Sequence, residues 1–382
     1  MFRWMTPNKP KKKTCAICGE EKTISEILSV CRECIINRFE EAKDYILNAH
    51  KKVRAIYSLP YPPPKGGDIR CTLCSNNCEL KENEVGFCGL RWVKENKLQS
   101  YVSPKRALAH IYLDPHVTNC CAAWFCPAGT GLGYPKYAVR NGAEYGYYNL
   151  AVFFYGCNFN CLFCQNWEHK DTKQAPIVEA QQFIDTVLRN ERITCICYFG
   201  GSPEPHLPFI LRVNREIIER KGNRIIRICY EWNGAGNTAL VRKAAEAALQ
   251  TGGIIKFDLK TPPESPLSYA LCGVDNKQVY HNFETIYREF WSEAEIPILT
   301  ATTLLVPGYI MPEDVEEIAK FIASLNPEIP YSLLIFHPDW MMNDLPITPR
   351  RIVKEAEKRA KKHLKNVNVG NKFLLSIAPE DL

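Results

Sequence analysis

The sequence predicts an α/β protein, a partial and splayed barrel of six β/α units preceded by small cysteine-rich metal-binding modules. Two observations predict it. From residue 146 onward, apolar strand-like runs alternate six times with amphipathic helical stretches, and repeated strand and helix units give a parallel sheet covered by helices. Before that point, most of the 18 cysteines fall into close groups at metal-ligand spacing. Six units are too few for a closed eight-fold barrel, so functional groups are expected where the strands of an open barrel end, at its carboxyl edge.

Composition limits the function classes. A chain of 382 residues, 46% hydrophobic, can bury one large core and still carry smaller modules. It is neither disordered nor fibrous. The net charge of +6, from 48 basic and 42 acidic residues, permits an anionic partner without calling for one. The start, "MFRWMTPNKPKKK", has positive charge but no apolar run behind it, so no secretory signal is expected. Runs such as "ILTATTLLVPGYI" are broken by Thr, Pro and Gly and fall short of the roughly 18 residues of a bilayer span. The expectation is a cytoplasmic protein, where close cysteine pairs serve metals rather than disulfides.

In chain order, "CAICGE" and "VCREC" place Cys15, Cys18, Cys31 and Cys34 in two C-x2-C knuckles. Four such sulfurs close a tetrahedral shell. The segment from 14 to about 36 is too small to hold itself together without a staple, so it reads as a zinc-ribbon-like or rubredoxin-like module with zinc, or else iron, as its occupant. With the charged helix that follows, it makes a first module over 1–56. The tract "PYPPPKGG", 60–67, marks a linker. A preamble over 57–145 contains Cys71, Cys74, Cys78 and Cys88, then Cys120, Cys121 and Cys126. The barrel is expected over 146–382, its strands being "NLAVFFYG", "TCICYFGG", "RIIRICYEWNG", "GIIKFDLK", "IPILTATTLLVPG" and "PYSLLIFH".

Cys157, Cys161 and Cys164, spaced C-x3-C-x2-C in "FFYGCNFNCLFCQNWEHK", follow directly on the first of these strands. A cubic iron-sulfur cluster has four irons, and three cysteines hold only three of them. With Phe163 before the last cysteine, the motif resembles the radical S-adenosylmethionine (SAM) superfamily. The resemblance implies a [4Fe-4S] cluster whose open iron chelates SAM, with reductive cleavage giving a 5′-deoxyadenosyl radical. "YFGGSPEPH" resembles the Gly-Gly motif of that superfamily, at Gly200 and Gly201. "YEWNG", "FDLK", "LCGVDNKQVYHNF" and "LLVPGY" follow in the order seen in pyruvate formate-lyase activating enzymes and their relatives. That resemblance implies a SAM pocket lined by Glu231, Asn233, Asp258, Lys260 and His337. Here the Gly-Gly pair runs on into Ser202, Pro203 and Glu204, so Glu204 is not assigned the acidic position usual in those enzymes. The extra cysteine groups also precede the radical motif, where activating enzymes with further clusters carry theirs after it. "CTLCSNNCELKENEVGFCGLR" and "ALAHIYLDP" resemble the AmmeMemoRadiSam-type branch, so Cys71, Cys74, Cys78 and Cys88 hold either a second cluster or one zinc.

The adjacent pair Cys120 and Cys121 is expected to point in different directions, which makes the two awkward joint ligands; with Cys126 they are either metal ligands or buried thiols. Burial is the default for Cys195, Cys197, Cys229 and Cys272. The functional expectation is an oxygen-sensitive radical SAM enzyme for an anaerobic or well-reduced setting, taking electrons from a donor such as ferredoxin or flavodoxin. Its substrate would be a small metabolite, a lipid, a peptide or a glycyl-radical partner enzyme. The alternatives are an RNA-modifying enzyme anchored by the ribbon and "KPKKK", and a non-catalytic iron-sulfur electron carrier.

Overall fold

The computed structural model describes residues 11–382. Of the basic tract "KPKKK", Lys9 and Pro10 lie outside the described residues. The first module pairs β1 (Lys13–Thr14) with β2 (Glu21–Lys22) and continues through α1 (Arg32–Asn37) and α2 (Phe39–Ala55). Ala42, Ile46, Ala49 and Val53 recur at helical spacing and form the buried face of α2. The module is fastened to the barrel by polar contacts. Ser25 donates its backbone N–H to Tyr309 Oη at 3.0 Å, and the Arg32 guanidinium grips Asp314 at 2.9 and 2.6 Å. Gly308, at φ +78°, is required there, because a Cβ would stand 2.1 Å from the Thr23 carbonyl oxygen.

The preamble consists of two hairpins, β3 (Ile69–Cys71) with β4 (Cys78–Leu80) and β5 (Arg91–Lys94) with β6 (Lys97–Ser100), followed by β7 (Arg106–Pro115) and the short α3 (Pro127–Thr130). The six expected strands and their helices then follow in order. They are β8 (Tyr148–Phe154), the short β9 (Ile177–Glu179) with α4 (Ala180–Arg189), β10 (Ile193–Gly200) with α5 (Leu207–Arg220), and β11 (Arg227–Trp232) with α6 (Thr238–Thr251). Next come β12 (Ile255–Asp258) with α7 (Leu267–Cys272) and α8 (Lys277–Phe290), β13 (Leu299–Leu305) with α9 (Pro312–Leu325), and β14 (Tyr331–Ile335) with α10 (Arg350–Ala360). The last strand is β15 (Val367–Gly370).

One nine-stranded sheet, in the order β15-β14-β13-β12-β11-β10-β8-β7-β9, gathers β7 to β15, while the two hairpins stand as separate sheets. From β8 through β15 the neighbours are parallel. β15 and β9 are the two edges, so the barrel is open as expected. Three features were not expected. β7, from the preamble, pairs antiparallel with β8, β9 pairs antiparallel with β7 where the helix was expected to begin, and β15 adds a parallel strand beyond the sixth unit. At the amino end, Arg227 is 1% exposed and bonds Glu144, itself fully buried, at 2.8 and 2.6 Å. That pair ties the segment entering β8 to β11. No helix among the described residues is long and apolar enough to cross a membrane.

Candidate active site

Because β8 and β10 to β14 run parallel, the segments that follow them open on one edge of the sheet, and there they enclose a cleft of about 900 Å³ including its mouth. Cys157, Cys161 and Cys164 line it together with Phe163, Gly200, Gly201, Glu231, Asn233, Asp258 and Lys260. Of the site residues expected in the SAM pocket, His337 alone lies outside the lining. It is half-buried, two residues past β14, and burial depresses its imidazole pKa.

The chain leaves β8 through Gly156, at φ +83°, and enters the cysteine loop. The Phe159 N–H points at Cys157 Sγ from 3.3 Å. His169 Nε2 lies 3.7 Å from Cys164 Sγ, and burial keeps that imidazole neutral by pushing its pKa well down. Cys272 is fully buried as expected, but its thiol meets Cys161 and, with Lys260 nearby, draws the Cys161 thiol down to about 7. Behind the loop lies Lys170, 4% exposed, donating to Asn160 Oδ1 at 3.1 Å. Asn160 bonds His50 of α2 at 2.8 Å. Burial lowers the Lys170 ammonium pKa, and the thiols of Cys164, Cys157 and Cys161 oppose that shift. A buried lysine facing several thiols is the countercharge an anionic metal-thiolate group needs.

The strand-end residues have identifiable tasks. Asp258 and Lys260, two apart and so on one face of the chain, form an ion pair, and Thr302 donates to the other Asp258 oxygen at 3.1 Å. Asn233 donates to Asn158 Oδ1 at 2.7 Å and to Ser202 Oγ at 2.9 Å, which ties the residue after Cys157 to the segment that follows β10. Glu204 is fully buried and is not part of the cleft lining. It accepts the Gly234 N–H at 2.7 Å and bonds the Ser202 hydroxyl, and burial raises its carboxyl to about 7.

The three thiols and the strand-end residues, Lys260 among them, meet in one cleft, with the buried Lys170 behind the loop. Residues 151–322 match the model of the Radical SAM superfamily. The chain carries a radical SAM domain. It is also similar to uncharacterized protein MJ0808 of Methanocaldococcus jannaschii, with 25% identity over 317 residues that cover 79% of this chain and 81% of that protein. The radical SAM domain implies a [4Fe-4S] cluster and SAM, and the soft three-thiol set, with Cys161 buried and Cys157 and Cys164 half-buried beside Lys170 and Lys260, fits such a cluster.

Around the radical SAM domain the other cysteines sort into distinct geometries. Sγ of Cys15 and Cys34 are 3.8 Å apart, those of Cys18 and Cys31 3.9 Å, and all four fall within 4.8 Å of one another. A tetrahedral shell with Zn–S bonds of about 2.3 Å has S···S edges of about 3.8 Å. The hairpin with Cys71, Cys74 and Cys78 docks on the cysteine loop and the end of β11. Ser75 N–H bonds the Ala235 carbonyl at 2.9 Å, Asn237 N–H bonds Leu73 at 2.9 Å, and the Asn76 amide bonds the Asn158 carbonyl at 2.7 Å. The Cys88 carbonyl oxygen is so near Gly156 that a Cβ there would lie 2.9 Å away. Arg54, stacked on Phe87 at 3.7 Å, faces Cys88, Cys157 and Cys78 from its place on α2, and burial lowers its pKa to about 10 against the pull of those thiols.

Two expectations are corrected. Cys120 and Cys121 do not diverge, since both thiols come within 4.8 Å of a Glu231 oxygen. Cys197 and Cys229 are half-buried and line a second cavity with Cys120, Cys126 and Cys195. Sequence reasoning also missed His50, Arg54, His169 and Lys170. The last two lie in "WEHK", directly after the motif, but nothing in that tract signals burial.

Proposed function

We propose that the chain is a radical SAM enzyme of the activating-enzyme-like branch, acting by hydrogen abstraction on an unidentified substrate. The observation that carries this reading is the opening of the Cys157, Cys161 and Cys164 loop into the same cleft as Gly200, Gly201, Asp258 and Lys260. When bound, the cluster and SAM supply a 5′-deoxyadenosyl radical. The three cysteines hold the cluster. The backbone of Gly200 and Gly201, free of side chains at a strand end, offers close approach to the SAM amino group. Lys260 would meet its carboxylate and Asp258 its ribose hydroxyls, each giving up part of the present ion pair. Phe163, Phe199 and Trp232 line the cleft and keep water from the radical. Asn276, from the "CGVDN" tract, donates to the Pro262 carbonyl at 2.7 Å and to Thr261 Oγ1 at 2.9 Å. It thereby fixes the segment leaving Lys260, which supports kinship with the activating enzymes. Zinc fits the N-terminal site, and an iron-sulfur cluster at Cys71, Cys74, Cys78 and Cys88 would relay electrons from a ferredoxin or flavodoxin into the site.

A second reading is an electron carrier, favoured by Cys272 beside Cys161, which brings a fourth thiol to the loop. Electron paramagnetic resonance of the reduced, reconstituted protein separates the two. SAM shifts the cluster signal if an iron is open to it. A signal indifferent to saturating SAM removes the catalytic reading.

A further inference from the structure

The segment between β7 and β8 crosses the inside of the open barrel. Ser332 of β14 donates to the Cys121 carbonyl at 2.8 Å, and Trp124 Nε1 donates to Ser332 Oγ at 3.1 Å. This anchoring brings two successive thiols to one carboxylate. Cys121 Sγ lies 3.9 Å from Glu231 Oε1, and the ligand atoms of Cys120, Cys121 and Glu231 all lie within 4.8 Å of one another. Lys256 reaches the same spot from β12, with Nζ 3.1 Å from Cys120 Sγ and 3.4 Å from Glu231 Oε2. Cys126 stands apart, its sulfur accepting the Gly129 N–H at the start of α3.

We propose that Cys120, Cys121 and Glu231 form a further metal site, for a soft divalent ion such as zinc or ferrous iron, in the interior of the barrel. Two thiolates and a carboxylate suit such ions, and three protein ligands leave one position for a further donor. Charge also balances. Three anionic ligands around a divalent cation leave one negative charge, and the Lys256 ammonium neutralises it in a place where an uncompensated charge is costly. Glu231 lines the SAM cleft while Cys120 lines the cavity on the other side. The ion therefore borders the chamber where substrate would meet the radical, and an amine, thiolate or carboxylate of the substrate is a natural fourth ligand. This last step rests on the proposed catalytic function; the metal site itself does not.

The test measures metal rather than turnover, so its failure is distinct from failure of the catalytic reading. Full-length protein, reconstituted anaerobically with iron and sulfide, is loaded with zinc and freed of excess. Zinc and iron per chain are then compared in the wild type, Cys121→Ala and Glu231→Gln. Each variant is expected to hold about one metal ion fewer per chain, zinc and iron taken together; equal totals in all three overturn the proposal. A second measurement avoids dependence on variant folding. Alkylation of the wild type, mapped by peptide, should be suppressed at Cys120 and Cys121 by added zinc, and equal labelling with and without zinc overturns the site.

Discussion

Gly201 packs against Gly156 so closely that a Cβ on Gly201 would stand 2.3 Å from the Gly156 carbonyl oxygen. The Gly201 N–H also bonds the Phe154 carbonyl at 2.8 Å. The end of β10 thus braces the turn that delivers Cys157. Gly201→Ala must push that turn away, and overpacking of this kind costs about 1–3 kcal/mol. The expected outcome is reduced iron per chain after reconstitution with secondary structure retained, read by iron analysis and circular dichroism.

Lys170 predicts a change in electron affinity. A buried ammonium beside the cysteine loop stabilises the more negative, reduced cluster, so Lys170→Met should lower the midpoint potential by on the order of tens of millivolts. Redox titration followed by electron paramagnetic resonance checks the sign. An unchanged potential would mean the lysine is screened from the cluster.

Cys272 decides between an open and a closed cluster. The catalytic account expects Cys272→Ser to keep its cluster iron and its SAM cleavage within about twofold, while Cys161→Ser loses both. Equal loss in the two variants would make Cys272 a fourth ligand and favour the electron carrier.

Glu204 predicts a pH dependence. The unfolded carboxyl releases its proton near 4.5, whereas the folded one, raised by burial, holds it to about 7. Between those values the native state binds more protons than the unfolded state. Stability therefore falls as pH rises from about 4.5 to 7, by roughly 3 kcal/mol in total. Glu204→Gln removes this contribution, so the thermal midpoint of the variant relative to wild type should rise across that window. A constant difference contradicts the assignment.

The six β/α units could be read from sequence because each pairs an apolar run with an amphipathic helix, whereas the residues expected in the cleft came from their likeness to the motifs of a known family. β7 escaped notice because "RALAHIYLDP" is partly exposed and lies in a cysteine-rich stretch, and β15 because "VNVG" is short and half polar. The groups behind the cluster escaped for a different reason. His50 meets Asn160 across 110 positions of sequence, and Arg54 looks like any basic residue at a helix end until packing turns it inward. Adjacent cysteines read as divergent until the anchoring of Cys121 by Ser332 folds them toward Glu231.

The central claim is that the three-cysteine loop generates a radical from SAM. The direct measurement is 5′-deoxyadenosine formed anaerobically by reconstituted, reduced protein with SAM, beside a Cys161→Ala control. The account predicts product from the wild type and none from the control. No product from a wild type with full iron and confirmed reduction would contradict it.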